Sequence, residues 1–482
     1  MTLERLARAL APSRVVGDVS VEITDLAYDA RTVVPGALFF CVSGLRADGH
    51  EFAPEAVSRG ASALVVERPL DLPVPQVVVA DARVAMGAAA QEFFGRPTEE
   101  LVVAGVTGTN GKTTTVYLLA SILDAAGLHP GLLTTIESRV GDERRPAVRT
   151  TPEAIDLQRT FRAMLAAGNR SCAMEATSHG SELRRLDGVR FAALAFTNLT
   201  QDHLDFHLTM ERYFEAKRRL FLDSGLAAAV NVGDPWGRRL ADELRARPDG
   251  RLLTFGFAAD ADVRGEDVEL TPAGAMLRAA GMELTTQLRG RFNLENVLAA
   301  VATARLLALP DAAIAAGVAR LSGVPGRFET VDEGQPFSVV IDYSHKPDAL
   351  ENVLRAARDL ARGRVICVFG CGGDRDRSKR PLMGRIAADL ADVAIVTSDN
   401  PRSEDPLAII AEVVAGAGDG GLAVEPDRRT AIARAIEEAA SGDVVVIAGK
   451  GHEQGQEIAG TVVPFDDRAV AREALRRLGA PT

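Results

Sequence analysis

Two hydrophobic patterns alternate along nearly the whole chain. Short apolar runs rich in valine and isoleucine, such as residues 101–106 and 444–448, are separated by longer stretches rich in alanine, leucine and arginine. Runs of the first kind are typical of buried parallel strands, and the longer stretches carry apolar residues on a helical period. Their alternation predicts an α/β fold with largely parallel sheets.

Two breaks in this pattern predict a division into three domains. The segment FFGRPTEEL contains Pro97 and leads into the strand LVVAGV, while LSGVPGRFETV ends a helical stretch at Gly323, Pro325 and Gly326. At 482 residues the chain is too long for one core, and usual domain sizes suggest roughly three. We predict a small α/β domain over residues 1–98, a central domain over 99–325 and a third domain over 326–482.

The stretch VTGTNGKTTT, residues 106–115, has the features of a phosphate-binding loop. A buried strand ends there, a turn with two glycines follows, and a helix begins near Lys112. Backbone N–H groups and the dipole at a helix start favour phosphate, the lysine reaches the β- and γ-phosphates, and the Thr113 hydroxyl suits Mg²⁺. The general motif places a glycine where this chain has Val106, so the loop is a variant. An ordinary strand–turn–helix is the alternative.

The next apolar strand, CAMEATSHG, ends at Glu175. A carboxylate at a strand end beside a nucleotide loop suits a hard metal ion that bridges phosphates. His203 and His207 have a spacing that could hold zinc on a helix, but Leu204 stands where zinc hydrolases have glutamate. Mg²⁺ at an ATP site is therefore the stronger prediction.

Three apolar runs in the last third of the chain end in polar loops. They are VICVFGCGGDRDR, ADVAIVTSDNPRSEDP and DVVVIAGKGHE. In open α/β sheets the ligand lies beyond the carboxyl ends of the strands, so we expect these loops to converge on one site.

Charge and cysteine content narrow the possible partners and the location. The net charge of -11 argues against a nucleic-acid partner, although it leaves room for a local cationic pocket. No stretch approaches the roughly 20 apolar residues of a membrane span and no signal peptide is recognisable, which predicts a cytoplasmic protein without a membrane partner. The cysteines are too few and too scattered for a disulfide framework, and Cys367 and Cys371 are predicted to be buried strand residues in preference to a metal or redox pair.

Nine motifs, in order along the chain, resemble those of the Mur ligase family of ATP-dependent amide-forming enzymes of peptidoglycan precursor synthesis. They are TGTNGKTT, MEATSHG, NLTQDHLDFH, GRFNLENVLAA, GRFE, DYSHKPDAL, GCGGDRD, DNPR and GKGHE, and the similarity covers essentially the whole chain. The displaced glycine is normal in this family, so the resemblance implies that the loop binds ATP. It also implies a small N-terminal uridine-binding domain, a central P-loop ATPase-type domain and a C-terminal Rossmann-like domain.

The resemblance implies a reaction and a set of site residues. Such ligases phosphorylate a substrate carboxylate with ATP, and an amine then attacks the acyl phosphate. The implied substrates are UDP-N-acetylmuramoyl-dipeptide and meso-diaminopimelate, with ATP and Mg²⁺ as cofactors. We expect a monomer. The implied catalytic residues are Lys112, Glu175, His203 and Lys217, a lysine that is carbamylated in this family; Glu175, His203 and Lys217 join Thr113 as metal ligands. The implied nucleotide contacts are Gly108, Thr109, Asn110, Gly111, Lys112, Thr113, Thr114, Asn296, Arg327 and Asp342.

The implied substrate contacts fall into two groups. Those for the UDP-sugar are Tyr28, Ala30, Thr150, Thr151, Thr177, Leu183 and Arg185, together with the backbone around residues 45–47. Those for diaminopimelate are Arg375, Asp399, Asn400, Pro401, Arg402, Gly449 and Glu453. The chain departs from the family pattern at two of these positions, because Ala30 replaces a serine and Leu183 stands where a polar residue is common.

Several alternatives stay open at this level. Lys217 could be a solvated helix lysine, and Asn293 and Asn296 could cap a helix. The chain could be an L-lysine-adding ligase. It could also be a ligase for another peptide position or a folylpolyglutamate-type ligase, an alternative that DNPR followed by GKGHE disfavours. It could also be a nucleotide-dependent switch without ligation chemistry, a function that gives His203 and Lys217 no role.

Overall fold

The structure is a computed structural model that describes residues 1–44, 47–223, 225–248, 250–271, 273–418 and 421–479. The expected substrate contact around residues 45–47 includes Leu45 and Arg46, which lie outside the described residues. The architecture is α/β with largely parallel sheets, as the hydrophobic pattern predicts.

The first part of the chain forms a five-stranded sheet in the order β1-β5-β4-β3-β2, parallel except at β1. Its middle strands are buried along their whole length because helices and loops cover both faces. The elements are α1 (Leu3–Ala9), β1 (Arg14–Val16), β2 (Asp25–Ala27), β3 (Ala37–Phe40), α2 (Ala53–Ser58), β4 (Ala63–Val66), β5 (Gln76–Val78) and α3 (Ala82–Phe93).

The middle part forms a nine-stranded sheet in the order β14-β13-β12-β11-β6-β10-β7-β8-β9, and a three-stranded antiparallel sheet, β15-β16-β17. The large sheet is parallel from β14 to β7 and antiparallel from β7 to β9. Its first elements are β6 (Val102–Thr107), α4 (Lys112–Ala125), β7 (Pro130–Leu133), β8 (Glu137–Val140), β9 (Glu143–Pro146), α5 (Ala154–Ala166), β10 (Ser171–Glu175), α6 (Ser178–Glu182), β11 (Ala193–Phe196), α7 (Leu204–His207) and α8 (Met210–Arg218). The remainder are β12 (Ala227–Asn231), α9 (Pro235–Arg245), β13 (Arg251–Gly256), β14 (Val263–Arg264), β15 (Glu266–Thr271), β16 (Gly274–Ala279), β17 (Met282–Thr286), α10 (Arg291–Leu306) and α11 (Asp311–Arg320).

Strand order places the loop after β6 at a switch point of this sheet. Strand β6 is a neighbour of β11, and the chain leaves β6 for β7 on one side of the pair but leaves β11 for β12 on the other side. Ligands of open α/β sheets bind in the crevice that such a reversal leaves at the carboxyl ends of the strands. The ends of β10 and β11 bring Glu175 and Thr197 beside the loop that begins at Gly108.

The last part forms a six-stranded sheet in the order β18-β19-β23-β20-β21-β22, parallel except at β18, with helices on both faces. This doubly wound arrangement is Rossmann-like. A hairpin of β24 and β25 follows the main sheet. The elements are β18 (Glu329–Val331), β19 (Ser338–Asp342), α12 (Pro347–Leu360), β20 (Val365–Phe369), α13 (Lys379–Leu390), β21 (Val393–Val396), α14 (Pro406–Val414), β22 (Ala423–Val424), α15 (Arg428–Glu437), β23 (Val444–Ala448), β24 (Gly455–Ile458), β25 (Thr461–Pro464) and α16 (Asp467–Gly479).

The cysteines behave as small apolar residues. Cys41, Cys172, Cys367 and Cys371 are buried free thiols, and Cys371 lies just beyond the end of β20. Burial raises the pKa of Cys367 and Cys371 to about 12, so neither thiol is activated. Across the described part of the chain, the helices are too short or too polar to cross a membrane.

Candidate active site

A cleft of about 950 Å³ lies between the middle and last parts of the chain. Its walls include the loop after β6, the ends of β10 and β11, the start of α10, and the segment that joins β19 to α12. The expected nucleotide and metal residues on these walls are Thr109, Asn110, Gly111, Lys112, Thr113, Thr114, Glu175, His203, Asn296, Arg327 and Asp342.

The backbone of the phosphate loop explains where its glycines lie. Val106 is still inside β6, buried and paired with Glu175 and Ala195 on the flanking strands, so the turn begins only afterwards. Gly111, the N-cap residue of α4, has a φ of 81°, and a Cβ there would lie 2.1 Å from Asn296 Oδ1. Gly108 has a φ of 145° and a Cβ would lie 1.9 Å from the Thr197 hydroxyl. The loop is thus closed tightly against two neighbouring elements.

Gly111→Ala should lower the free energy of unfolding by more than the strain of an alanine at positive φ. It should also displace the Asn296 amide from the cleft wall. Left-handed backbone costs a non-glycine residue about 1–2 kcal/mol, and we expect the clash to add about 1–3 kcal/mol. Gly127→Ala, at the other end of α4, is the matched control, because φ there is 74° and a Cβ meets no described heavy atom within 4 Å. Urea unfolding and nucleotide titration measure both effects. Equal losses of stability and nucleotide affinity in the two variants would contradict the packing argument.

Two lysines converge on the carbonyl groups of the loop. Lys112 Nζ donates to Gly108 O and Thr109 O, both at 3.0 Å, and Lys217 Nζ donates to Gly108 O at 2.9 Å. Loss of solvent lowers the pKa of Lys112 to about 8, and the charge of Lys346 lowers it as well. Lys217 is only 1% exposed, and burial lowers its pKa well below the ordinary value. Lys217 is therefore not the solvated helix lysine that the sequence left open.

Glu175 lies where its oxygens meet the start of α4. Its Oε1 accepts from the Thr113 hydroxyl at 2.8 Å and from Thr135 N at 2.8 Å, and Glu175 itself is 1% exposed. A carboxylate beside a threonine hydroxyl is the hard oxygen chemistry that Mg²⁺ prefers, so these side chains fit the expected ion. Among the described residues, groups of three or more His, Cys, Asp or Glu side chains arranged to hold a metal are not found.

The two histidines of NLTQDHLDFH have different partners. His203 lines the cleft, and its Nε2 lies 2.9 Å from Asp202 Oδ2. His207 Nε2 lies 3.0 Å from the Ser178 hydroxyl, and the His207 ring stacks on Tyr213. Burial lowers the pKa of His207 to about 4, as expected for a neutral packed ring. The arrangement does not favour a zinc site shared by the two imidazoles.

Arg327 and Asp342 approach the loop from the last part of the chain. Arg327 Nη2 donates to the Thr113 hydroxyl at 3.2 Å, and its guanidinium lies 4.4 Å from the Tyr343 ring centroid. Asp342 Oδ2 accepts from Phe328 N at 2.7 Å, and burial raises the pKa of this carboxyl. Both side chains are fixed by local contacts beside the phosphate loop.

The amide groups of α10 are not helix caps. Gly290 is the N-cap residue, Asn293 Nδ2 donates to Arg289 O at 2.7 Å, and Asn296 Nδ2 donates to Asn293 Oδ1 at 3.0 Å. Asn296 thus presents its amide to the cleft from the second turn of the helix, which favours the nucleotide contact over the capping alternative.

The expected UDP-sugar threonines form a group of hydroxyl contacts beside the end of β10. The Thr151 and Thr177 hydroxyl groups share a hydrogen bond of 2.9 Å, Thr151 also donates to Glu175 O at 3.0 Å, and the Thr150 hydroxyl lies 3.1 Å from that of Thr135. Ala30, in contrast, is buried in an apolar cluster of the first domain.

The other expected UDP-sugar residues lie close to the same region. Arg185 pairs with the buried Glu153 at 2.9 Å and donates to Thr151 O at 3.2 Å. Tyr28 donates to Asp156 Oδ2 at 2.6 Å, and burial raises its pKa. Leu183 is half-buried at the end of α6.

The loops after β21 and β23 form a dense polar cluster. Asn400 Nδ2 donates to Glu453 Oε2 at 2.9 Å, and Glu453 Oε1 accepts from Tyr343 OH at 3.4 Å. Asp399 is buried against Gly449, whose φ is 120° and where a Cβ would lie 2.4 Å from the Asp399 carboxylate. The loop after β20 contacts the loop after β21, as expected, because Gly373 packs against Pro401 O. Arg375, in contrast, is exposed and donates to Asp374 O at 3.4 Å.

Arg402 is held in an unusual conformation by its neighbours. Its φ is 53°, a left-handed value that costs a non-glycine residue energy, and its backbone N and O bond to Glu457 O and Ala459 N at 3.0 and 2.8 Å. The side chain donates from Nη1 to Gly373 O at 2.7 Å and pairs through Nε with Glu457 at 3.2 Å. Strain of this kind persists only where surrounding contacts enforce it, and it is common at ligand sites.

Sequence reasoning assigned no role to three charged residues of this region. Lys450 is fully buried and donates to Asn400 Oδ1 at 2.9 Å and to Glu453 Oε2 at 3.2 Å. Lys346 and Asp202 form an ion pair of 2.6 Å across the cleft. Each lies inside one of the quoted motifs, so its position was visible, but its burial and its partners were not.

Fold and cleft together define a nucleotide-dependent α/β enzyme architecture, and comparison with known families gives its class. Three family models match in succession, described as Mur ligase family, catalytic domain (residues 22–94), Mur ligase middle domain (106–304) and Mur ligase, glutamate ligase domain (326–451). The chain belongs to the Mur ligase family.

Individual relatives carry a more specific name. The UDP-N-acetylmuramoyl-L-alanyl-D-glutamate--2,6-diaminopimelate ligase of Geobacillus thermodenitrificans is 48% identical over 94% of this chain and 95% of its own length. The protein of the same name from Streptomyces coelicolor is 45% identical over 95% of this chain and 94% of its own. A solved structure of a ligase with that name is 32% identical, with a TM-score of 0.71 and full coverage of both chains. The MurF ligase of Thermotoga maritima in complex with ADP has the same fold, with a TM-score of 0.63 at 20% identity over 96% of this chain and 98% of its own.

Proposed function

We propose that the protein is an ATP-dependent ligase that joins meso-diaminopimelate to the D-glutamate of UDP-N-acetylmuramoyl-L-alanyl-D-glutamate. A monomer would catalyse this reaction in the cytoplasm, as a step of peptidoglycan precursor synthesis. Similarity to diaminopimelate ligases over nearly the full length supports the proposal. The proposed domains are residues 1–98, 99–325 and 326–482, a division supported by the main sheet that each range holds. The family resemblance assigns them to the UDP-sugar, ATP and the amino acid, in that order.

One continuous path of contacts carries the proposal. Arg327 donates to the Thr113 hydroxyl at 3.2 Å, and its guanidinium lies 4.4 Å from the centroid of the Tyr343 ring. Tyr343 OH donates to Glu453 at 3.4 Å, and Glu453 also accepts from Asn400 at 2.9 Å. The phosphate loop and the polar cluster of the last domain are thereby parts of one site. A nucleotide switch would have no use for the second half of this path.

The reaction consists of a phosphoryl transfer followed by an acyl transfer, and negative charge develops on oxygen atoms in both steps. A carboxylate oxygen of the D-glutamate attacks the γ-phosphorus, the bond to the bridging oxygen breaks, and ADP leaves with that electron pair. The diaminopimelate ammonium first loses a proton to water, and the neutral amine attacks the acyl carbon. The bond from that carbon to the phosphate oxygen then breaks, phosphate leaves with the electron pair, and the nitrogen loses a second proton to water as the amide forms. Lys112 and Arg327 lie where they would stabilise the transferring phosphoryl group.

Thr113, Glu175, His203 and a carbamylated Lys217 are the proposed Mg²⁺ ligands. When bound, Mg²⁺ would neutralise charge on the phosphate oxygens. The carbamate is supported by the pKa of Lys217, since a lowered pKa leaves more of the neutral amine that adds carbon dioxide.

Wild-type protein should ligate meso-diaminopimelate and largely reject L-lysine, and Arg402→Ala should lose most of that preference. The guanidinium can bind the distal carboxylate of diaminopimelate and repel the ε-ammonium of lysine. Losing such a charge-assisted contact costs about 2–4 kcal/mol, or roughly 30- to 1000-fold in kcat/KM for diaminopimelate. Phosphate release measured with each amine, in the presence of ATP and the nucleotide dipeptide, gives both values.

Arg377→Ala is the control for this experiment. Arg377 is exposed at the neighbouring loop and pairs with Glu412, so its loss removes one arginine without touching the cluster around Asn400. A wild type that prefers lysine would overturn the proposed substrate. An Arg402→Ala variant with unchanged discrimination would overturn the role of Arg402 alone.

A further inference from the structure

Lys346 reaches from the last domain into the phosphate loop of the central one. It stands at the N-cap position of α12 and is 8% exposed. Its Nζ lies 2.6 Å from Asp202 Oδ2 and 3.5 Å from Thr109 O. Thr109 O also accepts from Lys112 Nζ at 3.0 Å, so two ammonium groups from different domains share one carbonyl oxygen.

Two ammonium groups meet one carboxylate at this point. Lys112 and Lys346 converge on the carbonyl group of Thr109, and Asp202, within ion-pair distance of Lys346, is shared with His203 at 2.9 Å. The charge of Lys346 contributes to the lowered pKa of Lys112, which means that the two ammonium groups repel each other. Clustered, partly desolvated cations of this kind are a binding site for a polyanion.

We propose that Lys346 is a further catalytic residue of the ligase, whose ammonium binds the phosphoryl group as it passes from ATP to the substrate carboxylate. The inference rests on the proposed function. In that step the carboxylate oxygen bonds to the γ-phosphorus, the bond to the bridging oxygen breaks, and the electron pair leaves with ADP. Lys346 stays protonated throughout and contributes charge alone.

The position of Lys346 also couples chemistry to domain contact. Lys112 belongs to the phosphate loop itself, whereas Lys346 can reach the same point only when the last domain lies against the central one. A phosphoryl group that needs both cations is therefore stabilised only when the domain that holds the amine is in place. This arrangement would limit wasteful hydrolysis of ATP.

A purely structural role makes a different prediction. If Lys346 served only to join the domains through Asp202, its loss would weaken ADP and ATP alike, because both need the assembled cleft. If it binds the transferring phosphoryl group, its loss should weaken only the nucleotide that carries a γ-phosphate.

The test compares wild type with Lys346→Met, Lys346→Arg and the control Arg362→Met, which removes one positive charge from an exposed position of the same domain. Calorimetry with the nucleotide dipeptide present gives the Kd of ADP and of the β,γ-imido analogue of ATP, and phosphate release gives kcat. For Lys346→Met we expect analogue binding about tenfold weaker, ADP binding changed by less than about twofold, and kcat lowered roughly 100-fold or more. Lys346→Arg should recover part of each loss, and Arg362→Met should match wild type.

Equal weakening of ADP and analogue in Lys346→Met, or an unchanged kcat, would overturn the inference. So would a Lys346→Arg variant that is folded by circular dichroism yet as impaired as the methionine variant. Should Lys346→Met not fold, Lys346→Gln takes its place with the same expected results. Failure of the proposed function is separate, because it would appear as a wild type that does not ligate, while the two nucleotide affinities would still be measured.

Discussion

Lys112→Ala should abolish product formation while leaving the protein folded. Lys112 Nζ donates to the carbonyl groups of Gly108 and Thr109 at 3.0 Å, which places its charge at the mouth of the phosphate loop. Removing one preorganised charge of this kind costs about 100- to 1000-fold in turnover, and we expect at least the upper value here because the same group orders the loop. Initial rates of phosphate release, with circular dichroism as the check on folding, measure the effect.

Arg247→Ala is a matched control for Lys112. Arg247 also donates to two backbone carbonyl groups, Phe221 O and Leu222 O, both at 2.8 Å, but neither it nor these partners belong to the cleft walls. It should keep turnover within about tenfold of wild type. A Lys112→Ala variant with near-normal turnover and an unchanged spectrum would refute the assignment of the loop.

Lys217→Ala should be nearly inactive and should regain part of its activity with short-chain carboxylic acids. Lys217 is 1% exposed, and burial lowers its pKa well below the ordinary value for a lysine. The sign matters here, since a lower pKa increases the neutral amine at neutral pH, and only the neutral amine adds carbon dioxide. The product is an anionic carbamate, and formate or acetate can supply a carboxylate in the space that alanine leaves.

Two measurements check this prediction. Initial rates of Lys217→Ala are compared with and without formate or acetate, and carbon NMR of wild type in labelled bicarbonate looks for a carbamate signal that the variant lacks. Lys112→Ala is the control, because it loses a cation and should gain nothing from a carboxylate. Wild type without a carbamate signal, together with no rescue of the variant, would contradict the modification.

Part of the candidate site could be predicted from local sequence because its residues stand at the ends of strands. Glu175 closes β10 and the loop before Lys112 follows β6, so the hydrophobic runs predict their position at the carboxyl edge of the sheet. Asp342, which closes β19, was indicated only by the family resemblance. The antiparallel sheet β15–β17, the antiparallel edge β8–β9 and the hairpin β24–β25 were not expected. Glu457 of that hairpin holds Arg402, a contact that no motif indicated.

The sequence by itself determined the alternation of strands and helices, because hydrophobic periodicity and turn chemistry act over a few neighbouring residues. Its motifs indicated the family and part of the residues that line the cleft. Only the tertiary structure decided which of those residues meet. Thr113 and Arg327 are separated by 214 positions and Thr109 and Lys346 by 237, and each pair comes together only where two separately folded sheets pack. Burial was decided in the same way, because the environment that lowers the pKa of Lys217 and fully buries Lys450 is built by elements distant in the chain, which a local pattern does not show.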